Sequence, residues 1–233
     1  MSRKIKTWRD PFDAGFSICR RKEIEIHPGV TVLVGCNGAG KTTTLHNIRD
    51  VLKKEKIPVF EYDNKTDGGG NSLYDSLQSG AIQFFATQVC SSEGENIGLN
   101  LGKIASKWKR FLKFGQTGDI SEKMLKYLNE KGKNTEVTSN ERWILLDAMD
   151  SGSSIDNVIE MKELFHLVLD DAKKYGVEVY IVISSNEYEL VDGSDCFDVM
   201  EGKYVQFKSY AEYKKFILHS REKKDRRYKE DDA

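Results

Sequence analysis

The stretch Val30-Thr31-Val32-Leu33-Val34-Gly35-Cys36-Asn37-Gly38-Ala39-Gly40-Lys41-Thr42-Thr43 decides the fold. An apolar strand runs straight into a glycine-rich turn, then Lys-Thr, then the helical-looking Thr44-Leu45-His46-Asn47-Ile48. Strand, spacing and helix together make a phosphate-binding P-loop. Its glycines let the backbone curl until several N–H groups point at an anion, and the helix adds the positive end of its dipole. Gly35, Asn37, Gly38, Ala39, Gly40, Lys41, Thr42 and Thr43 are therefore the expected phosphate and nucleotide contacts. Lys41 is expected to reach the β and γ phosphates. The Thr42 hydroxyl is expected on Mg²⁺, a hard cation that takes oxygen ligands and shares them with nucleotide.

Composition bounds the rest. A chain of 233 residues supports one α/β domain, or one domain with a small subdomain. With 36 basic and 37 acidic residues, no global charge draws it to nucleic acid or membrane, so such a partner needs a local patch. Cys19, Cys36, Cys90 and Cys196 are scattered without a Cys-x-x-Cys pair, which argues against a zinc site or a secreted disulfide framework. No apolar run reaches the roughly 18 residues of a membrane span. A soluble, cytoplasmic protein is expected.

Outward from the P-loop, Phe16–Cys19 and Glu23–Ile26 alternate like half-buried strands and predict an N-terminal antiparallel hairpin leading into the sheet. Trp8, Phe12 and Phe16 are aromatics that either stack on a base or simply pack. The P-loop helix is expected to end near Lys54, with Ile57–Tyr62 a second parallel strand ending in Asp63. A glycine-rich loop follows, then a short helix over Ser72–Leu77, with Gln83 and Gln88 beyond it. Ser91-Ser92-Glu93-Gly94-Glu95 opens a long helix with Leu101, Ile104, Trp108, Phe111 and Leu112 at helical spacing. Its mouth is either a second anion site or an ordinary N-cap. Lys103, Lys107, Lys109, Arg110 and Lys113 form a basic face that fits solvation or nucleic acid. Another helix is expected over Ser121–Leu128.

The apolar strand Trp143–Leu146 ends in Asp147, expected to hold Mg²⁺ through its water shell. Asp150-Ser151-Gly152-Ser153-Ser154 turns into a helix whose apolar side is read as Ile159, Leu164, Leu167 and Val168. Val177–Ile183 is a further core strand ending at Ser184-Ser185-Asn186. Asp198–Phe207 reads as a hairpin turning at Glu201-Gly202, and Tyr210–Leu218 as a closing helix. The charged tail, 219–233, is expected to fray.

This order of motifs resembles the ATP-binding cassette superfamily over roughly residues 12–210, and within it the soluble SMC, RecF and DNA-repair ATPase heads more than transporter subunits. The resemblance implies a P-loop NTPase of mostly parallel α/β architecture with an N-terminal hairpin and a helical insertion near 64–140. Domain 1–218 would bind ATP and Mg²⁺. Two copies would pair head to head on ATP, with Ser92 and Gly94 of one reaching the nucleotide of the other, and act on DNA or a protein. The resemblance places Lys41, Asp147 and Asp150 at the chemistry and Asn186 at the nucleotide.

Three departures matter. Ala148 stands where the catalytic glutamate is expected, Asn186 stands for the switch histidine, and no coiled coil separates Gln88 from the signature. Losing a general base typically costs two to four orders of magnitude in rate. Hydrolysis is then slow, or Asp150 substitutes. A sensor that binds ATP with negligible hydrolysis is the alternative. A nucleotide kinase is a third reading, suggested by Lys41–Thr44 and by Asp63 with its triple glycine. Kinases of that kind need an arginine-rich lid, and only Lys223-Lys224-Asp225-Arg226-Arg227 offers one, late in the chain.

Overall fold

The computed structural model describes residues 2–8, 19, 21–63, 93–116, 127, 139–151 and 153–231. The strands are β1 (Arg3–Lys6), β2 (Glu23–Ile26), β3 (Gly29–Val34), β4 (Val59–Asp63), β5 (Glu141–Asp147), β6 (Glu178–Ser184), β7 (Asp195–Asp198) and β8 (Lys203–Val205). The helices are α1 (Lys41–Lys54), α2 (Glu93–Phe114), α3 (Ile155–Tyr175), α4 (Tyr188–Val191) and α5 (Tyr210–Asp231). Six strands form one sheet in the order β4-β5-β6-β3-β7-β8, parallel except for β8. The architecture is mixed α/β with a mostly parallel central sheet and an N-terminal antiparallel hairpin.

Both faces of the parallel strands are covered, which is why they read as continuous apolar runs. Alternation still sorts the side chains. Ile144, Leu146, Ile181 and Ile183 face α2 and α3, while Trp143, Leu145, Tyr180 and Val182 face α1 and the hairpin. Trp143 lies opposite Tyr180 in the ladder, and their rings stack with centroids 4.1 Å apart. Burying one such large side chain contributes about 2–3 kcal/mol. Each ring keeps a polar exit at the start of its strand, Trp143 Nε1 donating to Glu141 Oε2 and the Tyr180 hydroxyl to Glu178 Oε2.

Register then places the site. One row across the sheet runs Asp63, Asp147, Ser184, Leu33 and Phe197. It lies at the carboxyl ends of the parallel strands, where ligand crevices form in such sheets. The loop after β3, the aspartate ending β5 and the Ser-Ser-Asn ending β6 are thus neighbours.

Four expectations change. The hairpin partner of β2 is Arg3–Lys6, and the pair forms a separate two-stranded sheet rather than leading into the central one. Only Ile5 of those four residues is buried, so the alternation that betrays a strand was too short to read. Residues 16–18 of the strand expected there lie outside the described residues, as do Phe12, Gln83, Gln88 and the helix expected over 72–77; of the helix expected over 121–128 only Tyr127 is described.

The buried stripe of α3 is Val158, Met161, Phe165, Val168 and Ala172, whereas Ile159 and Leu167 are exposed. Leu167 lies half a turn from Val158 at 100° per residue, so two apolar residues on the wrong face misled the reading. The last hairpin begins at Asp195, three residues before the strand expected from Asp198, and turns at Gly202 in the left-handed region (φ 66°). Finally, the tail expected to fray is helical to Asp231. The inner side of the whole helix carries Tyr213 and Ser220, both buried. Among the described residues, no helix is long and apolar enough to cross a membrane.

Candidate functional site

The loop Gly35–Gly40 leaves β3 and feeds α1. Gly35 has no room for a side chain: a Cβ there would lie 2.9 Å from Ala39 Cβ and 3.2 Å from Val199 Cγ2. Gly40 caps α1 with a left-handed backbone (φ 101°), which L side chains rarely adopt. The loop is closed by Ala39 N–H donating to Cys36 O at 3.0 Å and Thr44 N–H to Gly40 O at 2.8 Å. Thr44 Oγ1 turns inward to the same carbonyl at 2.8 Å, while Thr42 and Thr43 are exposed in the first turn.

Lys41 folds back across the loop. Its Nζ donates to Gly35 O at 2.8 Å, Cys36 O at 3.4 Å and Asn186 Oδ1 at 2.9 Å. Burial pulls its ammonium below the ordinary value, against the opposing pull of Cys36, Asp150 and Asp147. A partly desolvated cation at a helix N-terminus, with no residue of the loop itself acidic, presents positive potential to an anion. Asn186 completes the ring by donating from Nδ2 to Asn37 Oδ1 at 3.1 Å.

The second half of the site follows β5. Asp147 Oδ1 accepts from the Ser184 hydroxyl, and Ser184 Oγ accepts from Ala148 N–H at 3.1 Å. Ala148 takes the left-handed conformation (φ 51°), costing about 1 kcal/mol for a residue with a Cβ. That bend turns the chain so that Asp150 is buried and its Oδ2 accepts from Ser185 Oγ at 2.6 Å and Asn186 N–H at 3.2 Å. Asp150 thus braces the loop that carries Asn186.

The expected residues Gly35, Asn37, Gly38, Ala39, Gly40, Lys41, Thr42, Thr43, Asp147, Asp150 and Asn186 converge on the carboxyl edge of the sheet. Ser92 lies outside the described residues. Gly94 falls in the first turn of α2, a helix that packs on α3. Of the basic face, Lys109 and Lys113 are exposed, while Lys103, Lys107 and Arg110 are half-buried. Trp8 is 47% exposed, and its backbone N–H donates to Asn47 Oδ1 of α1 at 2.7 Å.

Sequence reasoning missed Ser184, Ser185 and the contribution of α5. Ser220 Oγ accepts from Cys36 N–H at 3.1 Å, Lys224 Nζ donates to Asn37 O at 3.1 Å, and the Tyr213 hydroxyl donates to Asn186 O at 3.0 Å. A spacing of seven and then four residues from Tyr213 was the available signal, since it keeps all three on one helical stripe. Between the loop, the segment after β6 and α5 lies a cavity of about 900 Å³. Glu187 lines it, and burial raises its carboxyl above the ordinary value, with Asp150 and Glu189 adding to the rise.

No protein-family description matches the chain, and no curated protein matches it. Two solved structures align along most of it. One is an ATP-binding cassette of an ABC transporter in its ADP conformation, with 16% identity, a TM-score of 0.44 and coverage of 93% of this chain and 94% of that one. The other is a nucleotide-free ATP-binding cassette from an ABC transporter, with 16% identity, a TM-score of 0.42 and coverage of 94% of each chain.

Proposed function

We propose that this chain is an ATP-binding P-loop protein of the ATP-binding cassette kind, in which the bound nucleotide, rather than its rapid hydrolysis, is the working signal. The observation that carries this reading is the contrast between Lys41 and Ala148. Lys41 is held over a glycine-built loop at a helix N-terminus, which suits a triphosphate. Position 148, where a water-activating carboxylate is expected, has only a methyl group, and Asp150 is braced against Ser185 and Asn186.

The donor set also fits Mg²⁺. Thr42 offers an exposed hydroxyl and Asp147 a half-buried carboxylate ending the neighbouring strand row, and both are hard oxygen ligands. The metal, when bound, would neutralise phosphate charge. Asn37, Lys41 and Asn186 orient the phosphates, and Ser184 fixes the rotamer of Asp147. The resemblance of the sequence to the soluble SMC and RecF heads implies, in addition, pairing of two copies on ATP through Ser92 and Gly94, with a DNA or protein partner reading the paired state.

Calorimetric titration with ATP and Mg²⁺, together with light scattering and phosphate release, tests the reading. Wild type binds ATP and forms a long-lived dimer with slow turnover, while Lys41→Ala lowers affinity about a hundredfold by removing a charged phosphate contact. Equal affinity in the two proteins would overturn the nucleotide assignment. A monomer in saturating ATP would overturn the pairing.

A further inference from the structure

We propose that Lys224 of the C-terminal helix is a second phosphate-binding lysine, so that α1 and α5 of one chain grip the same phosphates between them. The proposal rests on the nucleotide reading above and adds a residue and an element to it.

Placement of α5 over the loop is built from several directions. Tyr213, Ser220 and Lys224 fall within about 20° of one line along the helix at 100° per residue. Tyr213 ties that line to the Asn186 carbonyl, and Ser220, buried, ties it to the Cys36 amide. On its flank, Lys223 Nζ pairs with Glu201 Oε1 at 2.9 Å in the β7–β8 turn. Held at these points, the helix carries its stripe one turn further to the phosphate loop, and the residue that arrives there is a lysine.

Geometry at its tip is specific. Lys224 Nζ donates to Asn37 O at 3.1 Å and lies 3.4 Å from where a Cβ on Gly38 would stand. Lys41 meanwhile donates to the carbonyls of Gly35 and Cys36. Three consecutive carbonyls of one loop therefore hold two ammonium groups arriving from different helices. Two like charges brought to one loop repel, and an anion between them turns that repulsion into attraction. Among the described residues, the carboxylate that pairs with Lys224 is Asp225 at 4.0 Å, with a side chain 55% exposed against 23% for Lys224. A pair that open to solvent neutralises little, so the charge of Lys224 remains directed at the loop.

The test measures dissociation constants for ATP, ADP and AMP with Mg²⁺ in wild type, Lys41→Ala, Lys224→Ala, Lys224→Gln and Lys224→Arg, with thermal melts as a check on folding. Lys224→Ala and Lys224→Gln are expected to weaken ATP binding about tenfold, the size of one charge-assisted hydrogen bond. AMP is expected to change less, and Lys224→Arg to stay near wild type. If Lys41→Ala loses affinity while Lys224→Ala binds ATP equally well, Lys224 is not a ligand and the proposal falls alone. Tighter ATP binding in Lys224→Ala would also overturn it, marking α5 as a latch that the nucleotide must displace. If Lys41→Ala binds as well as wild type, the nucleotide reading fails and the proposal with it.

Discussion

The loop after β3 and the turn after β5 stand side by side at one edge of the sheet, yet they are made in opposite ways. The first is built from backbone: glycines shape it, its cation bonds to main-chain carbonyls, and its Cys36 and Asn37 line an open cavity. The second is built from side chains that are already engaged. Asp147 holds Ser184, Asp150 holds Ser185 and the Asn186 amide, and the residue between Asp147 and Met149 is an alanine in a conformation that glycine prefers. Under the proposed reading the loop receives the phosphates, while the side chains of the turn brace one another.

That contrast breaks most visibly at position 148. Ala148→Glu adds a carboxylate at the strand end and is expected to raise ATP turnover about a hundredfold, the lower end of what a general base supplies. Phosphate release at saturating ATP measures it. No increase in a variant that still binds ATP would mean that the turn keeps side chains away from the attacking water.

Asp150→Ala asks whether the turn is scaffolding. It strands the Ser185 hydroxyl and the Asn186 amide, and removing a buried charged acceptor costs about 2–3 kcal/mol. Urea unfolding checks this. A loss of turnover without a loss of stability would instead make Asp150 the base. Ala148→Gly sharpens the same point at smaller scale: relief of the left-handed backbone, less the entropy that glycine adds to the unfolded chain, stabilises by about 0.5 kcal/mol.

The smallest effect lies away from both halves, at Asp198, whose Oδ1 accepts from Met200 N–H at 2.9 Å and Glu201 N–H at 3.2 Å. Burial raises this carboxyl above its ordinary value despite those bonds. The folded protein therefore holds a proton that the unfolded chain has released, and stability falls as pH rises from the ordinary carboxylate value through the raised one. Asp198→Asn keeps the acceptor and is expected to flatten that slope in melts taken across the acidic range.

What the sequence made legible follows from how each part is encoded. The limits of α1 were readable because the P-loop fixes its start and a cluster of lysines and a turn mark its end. β3, β5 and β6 were readable because strands covered on both faces are apolar runs. β1 was not, since one isoleucine among charged residues carries no period. The length of α5 was hidden for a related reason. Beyond Leu218 its sequence is nearly all charged, and what keeps it in place is a buried serine and lysines bonded to residues far away in the chain. At the site, Lys41 and Asp147 were singled out by motif and Asn186 by resemblance, and the structure brings Lys41 and Asn186 into contact. Ser184 and Ser185 were not, because a serine ending a strand has no spacing that announces which neighbouring strand it will touch.

Those serines have a consequence for anyone redesigning the protein. Ser184, Ser185 and Asn186 form one short crosspiece that touches the β5 turn at two aspartates and the phosphate loop at Lys41 and Asn37. Asn186 therefore cannot be exchanged alone. A histidine grafted at 186 to quicken chemistry would give up both the oxygen that receives Lys41 and the amide nitrogen that holds Asn37. A successful graft would have to be drafted as a block, with the loop, the crosspiece and the turn redrawn together.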